Sequence, residues 1–173
     1  MKRHLILIAF VLLGLVVAAP AQLGNKSPGS APTADFIGPE SLMALIPPNL
    51  EVIKGTKINK VAASLASDAM KSGTKGKTAQ IRIKVEKVVA NTAYRQKFLI
   101  ETETDRLVFR GSRCNYKVYA YFATGQEADL VNVRHGATIT VIGTLVRTDL
   151  APPDRSDTLV IDLKDCQIVP ASR

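Results

Sequence analysis

Chemistry needs nucleophiles, bases or metal ligands in sets, and this chain offers few. It has two histidines, His4 and His135. His4 lies at the edge of an apolar leader, which leaves His135 alone on a turn. A serine–histidine–acid triad or a zinc site needs partners converging on the imidazole. The two cysteines, Cys114 and Cys166, lack the CxxC spacing of zinc and thiol-redox sites. Asp154 with Asp157, and Glu101 with Glu103, pair in spacing but fall in polar turns, where nothing raises a carboxyl pKa. The run Ser72–Thr78, SGTKGKT, lacks the GxxxxGK[ST] spacing of a phosphate loop. The sequence therefore implies no catalytic residues, no metal and no cofactor. What it does offer is tyrosine beside base. Lys117, Tyr119 and Tyr121 alternate in KVYAYF, and Tyr94 is followed by Arg95. Aromatic faces flanked by cations stack bases or sugars, each base worth about 1–3 kcal/mol.

The elements that must carry these residues are mostly strands. Ile81, Ile83 and Val85 alternate with Arg82, Lys84 and Glu86, a period-two pattern. Phe98 and Ile100 mark a second strand, with Glu101 to Arg106 as a polar turn after it. Val118, Ala120 and Phe122 mark a third. A short amphipathic helix over 126–133, with Leu130 and Val133 inward, leads to Gly136 and a fourth strand built on Ile139, Val141 and Gly143. Gly136 suits a turn with positive φ, and Gly143 inside a strand suggests a bulge or bend. Pro152-Pro153 sits in a loop, and Leu159, Ile161 and Leu163 form a fifth strand running towards Val169. The inward set, Ile81, Ile83, Val85, Val118, Phe122, Ile139, Val141, Ile161 and Leu163, should form the core.

Upstream lies a different kind of chain. Lys2 and Arg3 precede the apolar run Leu5–Ala19, and Ala19-Pro20-Ala21 places small residues at a cleavage site. Residues 1–21 read as a secretory signal, cut between Ala21 and Gln22. An uncleaved anchor is the rival, but the run is shorter than the roughly 20 residues that span a bilayer. The mature chain has no later span. Residues 22–38 read as a flexible linker rich in Ser, Pro, Gly and Ala. Residues 39–76 form a helical segment: a short helix started by Pro39 and stopped by Pro47-Pro48, then an amphipathic helix over 56–72. Its stripe is Ile58, Val61, Ala62, Leu65 and Ala69, with Gly73 as its stop. The barrel would occupy 77–170.

Charge is uneven. The formal net charge is +8, and the stretch 54–97 holds 11 basic residues against Asp68 and Glu86. Such a surface meets an anionic partner or simply keeps the protein soluble.

Three strands, a helix and two strands is the order of an OB-fold, a five-stranded Greek-key barrel. From Gly76 to Val169 the chain resembles the tRNA_anti-like group of OB-fold domains, found in exported bacterial proteins. The matching residues are Gly76-Lys77, the run Val118-Tyr119-Ala120-Tyr121-Phe122, then Leu130, Val133, Gly136, Ile139, Val141 and Gly143, and the close Leu163 to Ile168. The group often carries a cysteine where Ala120 stands; here Cys114 lies six residues earlier, so no disulfide is carried over. The resemblance brings no catalytic residues. OB-folds bind on strands two and three and the flanking loops. The candidate contact set is therefore Tyr94, Arg95, Lys117, Tyr119, Tyr121 and Arg155. The expected function is an exported, secreted or periplasmic, binding module for an anionic polymer such as an oligonucleotide or glycan. The alternative is a structural or protein-interaction module of the cell envelope, whose partner is another envelope protein. An oxidising compartment would favour a Cys114–Cys166 bridge. The barrel opposes it, because strands three and five run parallel with the cysteines near opposite ends. Cys166 is expected as a small buried apolar residue.

Overall fold

The computed structural model describes residues 37–54, 57–153 and 157–170. The signal and nearly all of the linker lie outside them, as does Arg155. Ile37 and Gly38, at the end of the expected linker, already belong to the fold: Ile37 bridges Ala79, and Gly38 precedes helix α1, Pro39–Ala44. A small hairpin follows, β1 (Ile53–Lys54) with β2 (Lys57–Ile58). Then come helix α2 (Lys60–Thr74) and the strands β3 (Thr78–Ala90), β4 (Phe98–Thr102), β5 (Asp105–Phe109), β6 (Ser112–Phe122), β7 (Thr138–Leu150) and β8 (Thr158–Val169). Helix α3, Glu127–Leu130, sits between β6 and β7.

The strands close on themselves. The neighbours run β4-β3-β7-β8-β6-β5, and β4 also pairs with β6, which completes the ring. All pairs are antiparallel except β6 with β8. With β4 and β5 as one interrupted second strand, this is a mainly-β, closed five-strand OB-fold-like barrel. Bulges turn its corners. Along β3 the register shifts between Val85 and Lys87, so its first half pairs with β7 and its second with β4. Along β7 it shifts at Gly143, where a Cβ would stand 2.7 Å from Cys166 Sγ. Only glycine allows β7 and β8 to approach there. Gly136 has φ 77° as expected of its turn.

The expected core is inside: Val85, Val118, Phe122, Val141, Ile161 and Leu163 are fully buried, with Ile81 and Ile83 nearly so. Ile139 is only half-buried, packed against the edge of that core. The polar turn expected at 101–106 is corrected. Glu101 and Thr102 are still strand, and after a two-residue break the chain pairs again as β5, with Leu107 and Phe109 inward. At the break the Thr102 hydroxyl accepts the Val118 N–H, 3.0 Å. The hairpin turns instead at Arg110-Gly111, with φ 48° and 78°. Two successive positive φ values are the geometry that two-residue hairpins favour.

Helix α2 also differs from its expected face. It begins at Asn59, whose side chain accepts from Val61 N and Ala62 N and caps the helix. Gly73 lies inside it rather than ending it; a Cβ there would stand 3.1 Å from Leu45 Cδ1, closer than ordinary contact. The buried stripe is Ala62, Ala63, Ala66, Ser67, Met70 and Thr74, while Val61 and Leu65 are exposed. Small residues win the inner face because they let the helix approach β7 closely. Ser67 is drawn in for a polar reason: its hydroxyl accepts the Leu150 N–H at 2.8 Å and donates to Ala63 O at 2.9 Å. Burying that N–H unpaired would cost about 1–3 kcal/mol.

Candidate functional site

On β6 the alternation is as expected. Val118, Ala120 and Phe122 point into the barrel, and Lys117, Tyr119 and Tyr121 stand on the outer side, Tyr119 half-buried. The outer side there is not an open platform, however. Lys117 is buried, its Nζ 2.6 Å from Glu86 Oε2 and 3.8 Å from Glu101 Oε2, and it lies over the Tyr119 ring at 5.6 Å. Lys84 pairs with Glu103 at 2.7 Å and Lys87 with Glu101 at 3.1 Å. The lysines of β3 and β6 and the glutamates of β3, β4 and the break after it thus neutralise one another across the face.

Tyr121 is buried beneath the loop 91–97. The Tyr94 ring meets it edge-on, centroids 4.9 Å apart at 83°. The Tyr94 hydroxyl donates to Asp162 Oδ2 at 2.9 Å. Gln96, itself buried, donates to Asp165 Oδ1 at 3.0 Å, and Lys97 N donates to Phe122 O at 2.9 Å. The fold bends to permit this: Tyr94 and Arg95 both have positive φ, 54° and 60°. Such a conformation costs a non-glycine residue about 1–2 kcal/mol, so the contacts made by the ring, the hydroxyl and Gln96 must offset it. Burial pushes the Tyr121 hydroxyl up to about 12 and the Tyr94 hydroxyl higher, the Asp162 carboxylate adding to both. Burial also raises the Asp162 carboxyl, against the Tyr94 hydrogen bond and Arg147. Of the expected contact set, Tyr94 and Arg95 remain at the surface, Lys117 and Tyr121 are covered, and Arg155 lies outside the described residues.

The opposite wall, on β3, β7 and β8, is basic and rich in hydroxyls. Gln80, Arg82, Thr138, Thr140, Thr144 and Lys164 all sit on it, with Arg82 and Thr138 exposed. A shallow cavity of about 480 Å³ lies over Arg82 and Thr138–Thr140. Further along β7 a cleft of about 450 Å³ opens between that strand and the C-terminal end of α2. Lys71, Lys75, Arg147 and Lys164 line it, with Val146 and Thr148. Lys71 Nζ lies 2.7 Å from Asp149 Oδ1, and Arg147 Nε donates to Asp149 Oδ2 at 2.6 Å. Burial works to raise the Asp149 carboxyl, but these two cations outweigh it and hold it below the usual range. Lys164 is 3.5 Å from Asp165. Lys75 has no ion pair among the described residues. The Thr148 hydroxyl is buried and without a hydrogen-bond partner among them.

These cleft residues were missed in the sequence because they come from three elements. The one local signal was VRTDL, 146–150, which continues the β7 alternation beyond its expected end.

The remaining reactive types are spent structurally. His135 Nδ1 is 2.8 Å from Glu86 O. Asp157 accepts from Asn115 Nδ2 at 2.9 Å. Cys114 and Cys166 are buried and unbridged, and burial pushes their thiols up to about 11 and 12. No group of three or more His, Cys, Asp or Glu among the described residues could hold a metal ion.

No family model and no curated protein matches the chain. Among solved structures it is similar to a small single-stranded DNA-binding protein from Mycoplasma pneumoniae: 17% identity over 56% of this chain and 94% of that one, TM-score 0.31. It is likewise similar to a mitochondrial single-stranded DNA-binding protein of S. cerevisiae, at 17% identity over 57% and 100%, TM-score 0.33. At such values the assignment of the barrel rests on its own strand order and register.

Proposed function

We propose that this chain is an exported OB-fold binding module, of the tRNA_anti-like kind, that holds an anionic polymer. Its contact surface is the outer wall of β3, β7 and β8, with Tyr94 and Arg95 as exposed flanking groups on the loop 91–97. One observation carries this reading: Lys84, Lys87 and Lys117 are matched by Glu103, Glu101 and Glu86, whereas the five cations Arg82, Lys75, Lys71, Arg147 and Lys164 follow one wall with three carboxylates, Asp149, Asp162 and Asp165, among them. Excess positive charge along a strand direction suits a chain of negative groups. No catalytic step is assigned.

The test is binding of the full chain to an oligonucleotide, an acidic glycan and a neutral peptide at two salt concentrations. Affinity for at least one polyanion, falling as salt rises, supports the reading. Equal binding of the neutral peptide, independent of salt, overturns it. Export is tested by the N-terminus of protein recovered outside the cytoplasm, which should be Gln22.

A second reading, a protein-interaction module of the cell envelope, is favoured by Val61 and Leu65. They stand one turn apart on the outer side of α2, 72% and 52% exposed. Cross-linking in the host that depends on these two side chains, with no polyanion binding, would select it.

A further inference from the structure

We propose that the loop 91–97 is an autoinhibitory strap: Tyr94 occupies, on Tyr121 and Asp162, the place of a flat ligand ring, and the face beneath opens only when such a ring displaces it. The ring is that of a nucleobase in a single strand. The inference rests on the reading of an anionic-polymer binder for the ligand, and it adds what covers the aromatic part of the surface.

Three observations support it. The first is how the strap is held. Its roots are backbone: Asn91 N donates to Lys97 O at 2.8 Å, and Lys97 N to Phe122 O at 2.9 Å. Between them two side chains tie it to the barrel, the Tyr94 hydroxyl on Asp162 and Gln96 on Asp165. The backbone bonds of the span, Ala93 N to the Asn91 side chain and Gln96 N to Ala93 O, stay within the loop. Such a segment can lift without breaking a strand ladder. The second is that closure is imperfect. Tyr94 and Arg95 hold positive φ, 54° and 60°, and Arg95 is exposed, so no burial offsets its conformation. Asp162 is 3% and Gln96 7% exposed, yet Asp162 Oδ1 and Gln96 Oε1 have no hydrogen-bond partner among the described residues. Buried acceptors are nearly always paired. Lifting the strap lets water reach both, a gain to set against the contacts it breaks. The third is what lies beneath. Tyr119, Asp162 and Arg147 stand abreast on β6, β8 and β7, with Tyr121 two residues further along β6. Lifting Tyr94 therefore joins the aromatic face to the basic wall.

Tyr94 makes the kinds of contact that a base makes. Its ring packs on Tyr121, and its hydroxyl, a donor in the plane of an aromatic ring, serves a carboxylate. Sugar hydroxyls stand on a puckered ring, whereas the amino and imino groups of a base lie in the ring plane. A phenol has one donor and leaves one Asp162 oxygen unserved. A base edge with two adjacent donors serves both. With Tyr94 lifted, a base can also lie flat on Tyr121, which an edge-on phenol does not.

The experiment uses the full chain as wild type, Tyr94→Phe and Tyr94→Ala. The first readout needs no ligand: nitration of Tyr121 by tetranitromethane, located by peptide mass spectrometry. The second is affinity for a short single-stranded oligonucleotide and for an abasic phosphodiester chain of the same length. In wild type, Tyr121 should nitrate far more slowly than in the denatured chain. Tyr94→Phe removes one hydrogen bond to a charged group, so nitration should quicken about tenfold. Tyr94→Ala should quicken it further. For Tyr94→Phe, affinity for the oligonucleotide should rise by the same factor as the nitration rate, because both follow the open fraction. The abasic chain should gain nothing. Unchanged hydrogen exchange of the β7–β8 amides shows that the barrel is intact; where Tyr94→Ala disturbs them, Tyr94→Phe carries the test.

Four results overturn it. If neither variant binds the oligonucleotide more tightly than wild type, Tyr94 does not stand in a ligand's place, and the strap falls while the wall reading stands. If Tyr121 nitrates in wild type as fast as in the denatured chain, or no faster in the variants, the loop covers nothing that it can release. If the abasic chain gains as much as the oligonucleotide, the opened face does not take rings. If neither chain binds any of the proteins, the strap and the function fall together. A gain for the oligonucleotide with no effect of salt, and no binding of the abasic chain, would instead leave the strap standing and remove the wall reading.

Discussion

Phe122 is among the largest fully buried side chains and belongs to the strand that pairs with both β4 and β8. Phe122→Ala should destabilise the protein by about 3–5 kcal/mol, measured by denaturant unfolding with an unchanged slope. A cost below about 1 kcal/mol, the level of an ordinary surface substitution, would mean that the ring is not enclosed. Asp162 makes a second prediction at this scale. It is buried, one oxygen holds the Tyr94 hydroxyl, and the other has no partner among the described residues. Burial raises its carboxyl above the unfolded value, so the folded state binds the proton more tightly. The associated stability is present below about pH 3.9 and is lost as pH rises through the folded value. Asp162→Asn removes the titration but keeps an oxygen for Tyr94. Its melting temperature relative to wild type should therefore climb between about pH 4 and about pH 7. A constant difference across that interval would contradict the burial argument.

At the scale of elements, one arginine ties two segments together. Arg110, at the tip of the β5–β6 hairpin, donates to Ile46 O at 2.7 Å, Leu50 O at 3.0 Å and Pro47 O at 3.1 Å, and its guanidinium lies over Phe109 at 4.5 Å. Arg110→Ala should release the segment 46–50. Hydrogen exchange of its amides should quicken while the β7–β8 amides keep their protection. Lysine should not restore it, since a compact ammonium lacks the planar fork that spreads donors over the four carbonyls of Ile46, Pro47, Pro48 and Leu50 while stacking on Phe109. This hairpin also shows where reading the sequence stops. Strands with β-branched alternation, such as those around Ile81, Val118 and Ile139, were legible because one face is buried along their length. β5 was not: its start, Asp105-Arg106, is polar, and only Leu107 and Phe109 point inward. The face of α2 misled for another reason. Hydrophobicity ranks Val61 and Leu65 above Ala63 and Ala66, but close contact with a strand rewards small size, and Ser67 was needed for a backbone N–H that no sequence window displays.

For the molecule as a whole, the parallel pairing of β6 and β8 sets the fate of the cysteines. Asn115 stands beside Thr158, while Cys166 lies three residues beyond Leu163, the partner of Ala120. Cys114 and Cys166 are thus held towards opposite ends of the two strands. Neither thiol of the folded protein should react with a thiol reagent, and both should react after denaturation without reductant. A single labelled state with none free would mean a bridge and a different register. The tyrosine face illustrates the limit at this scale. Which strand residues point outward follows from period two, but whether outward means open depends on the loop 91–97 and on glutamates from β3 and β4. The basic cleft depends likewise on α2 and two distant strands meeting. The same pairing has a kinetic consequence. β8 bonds to both β6 and β7, and residues more than 40 positions apart, such as Asn115 and Thr158, must meet before the ring can shut. Closing so distant a loop is slow and entropically costly. A chain emerging from its N-terminus first has no closed barrel until β8 arrives, and until then it stays open and threadable.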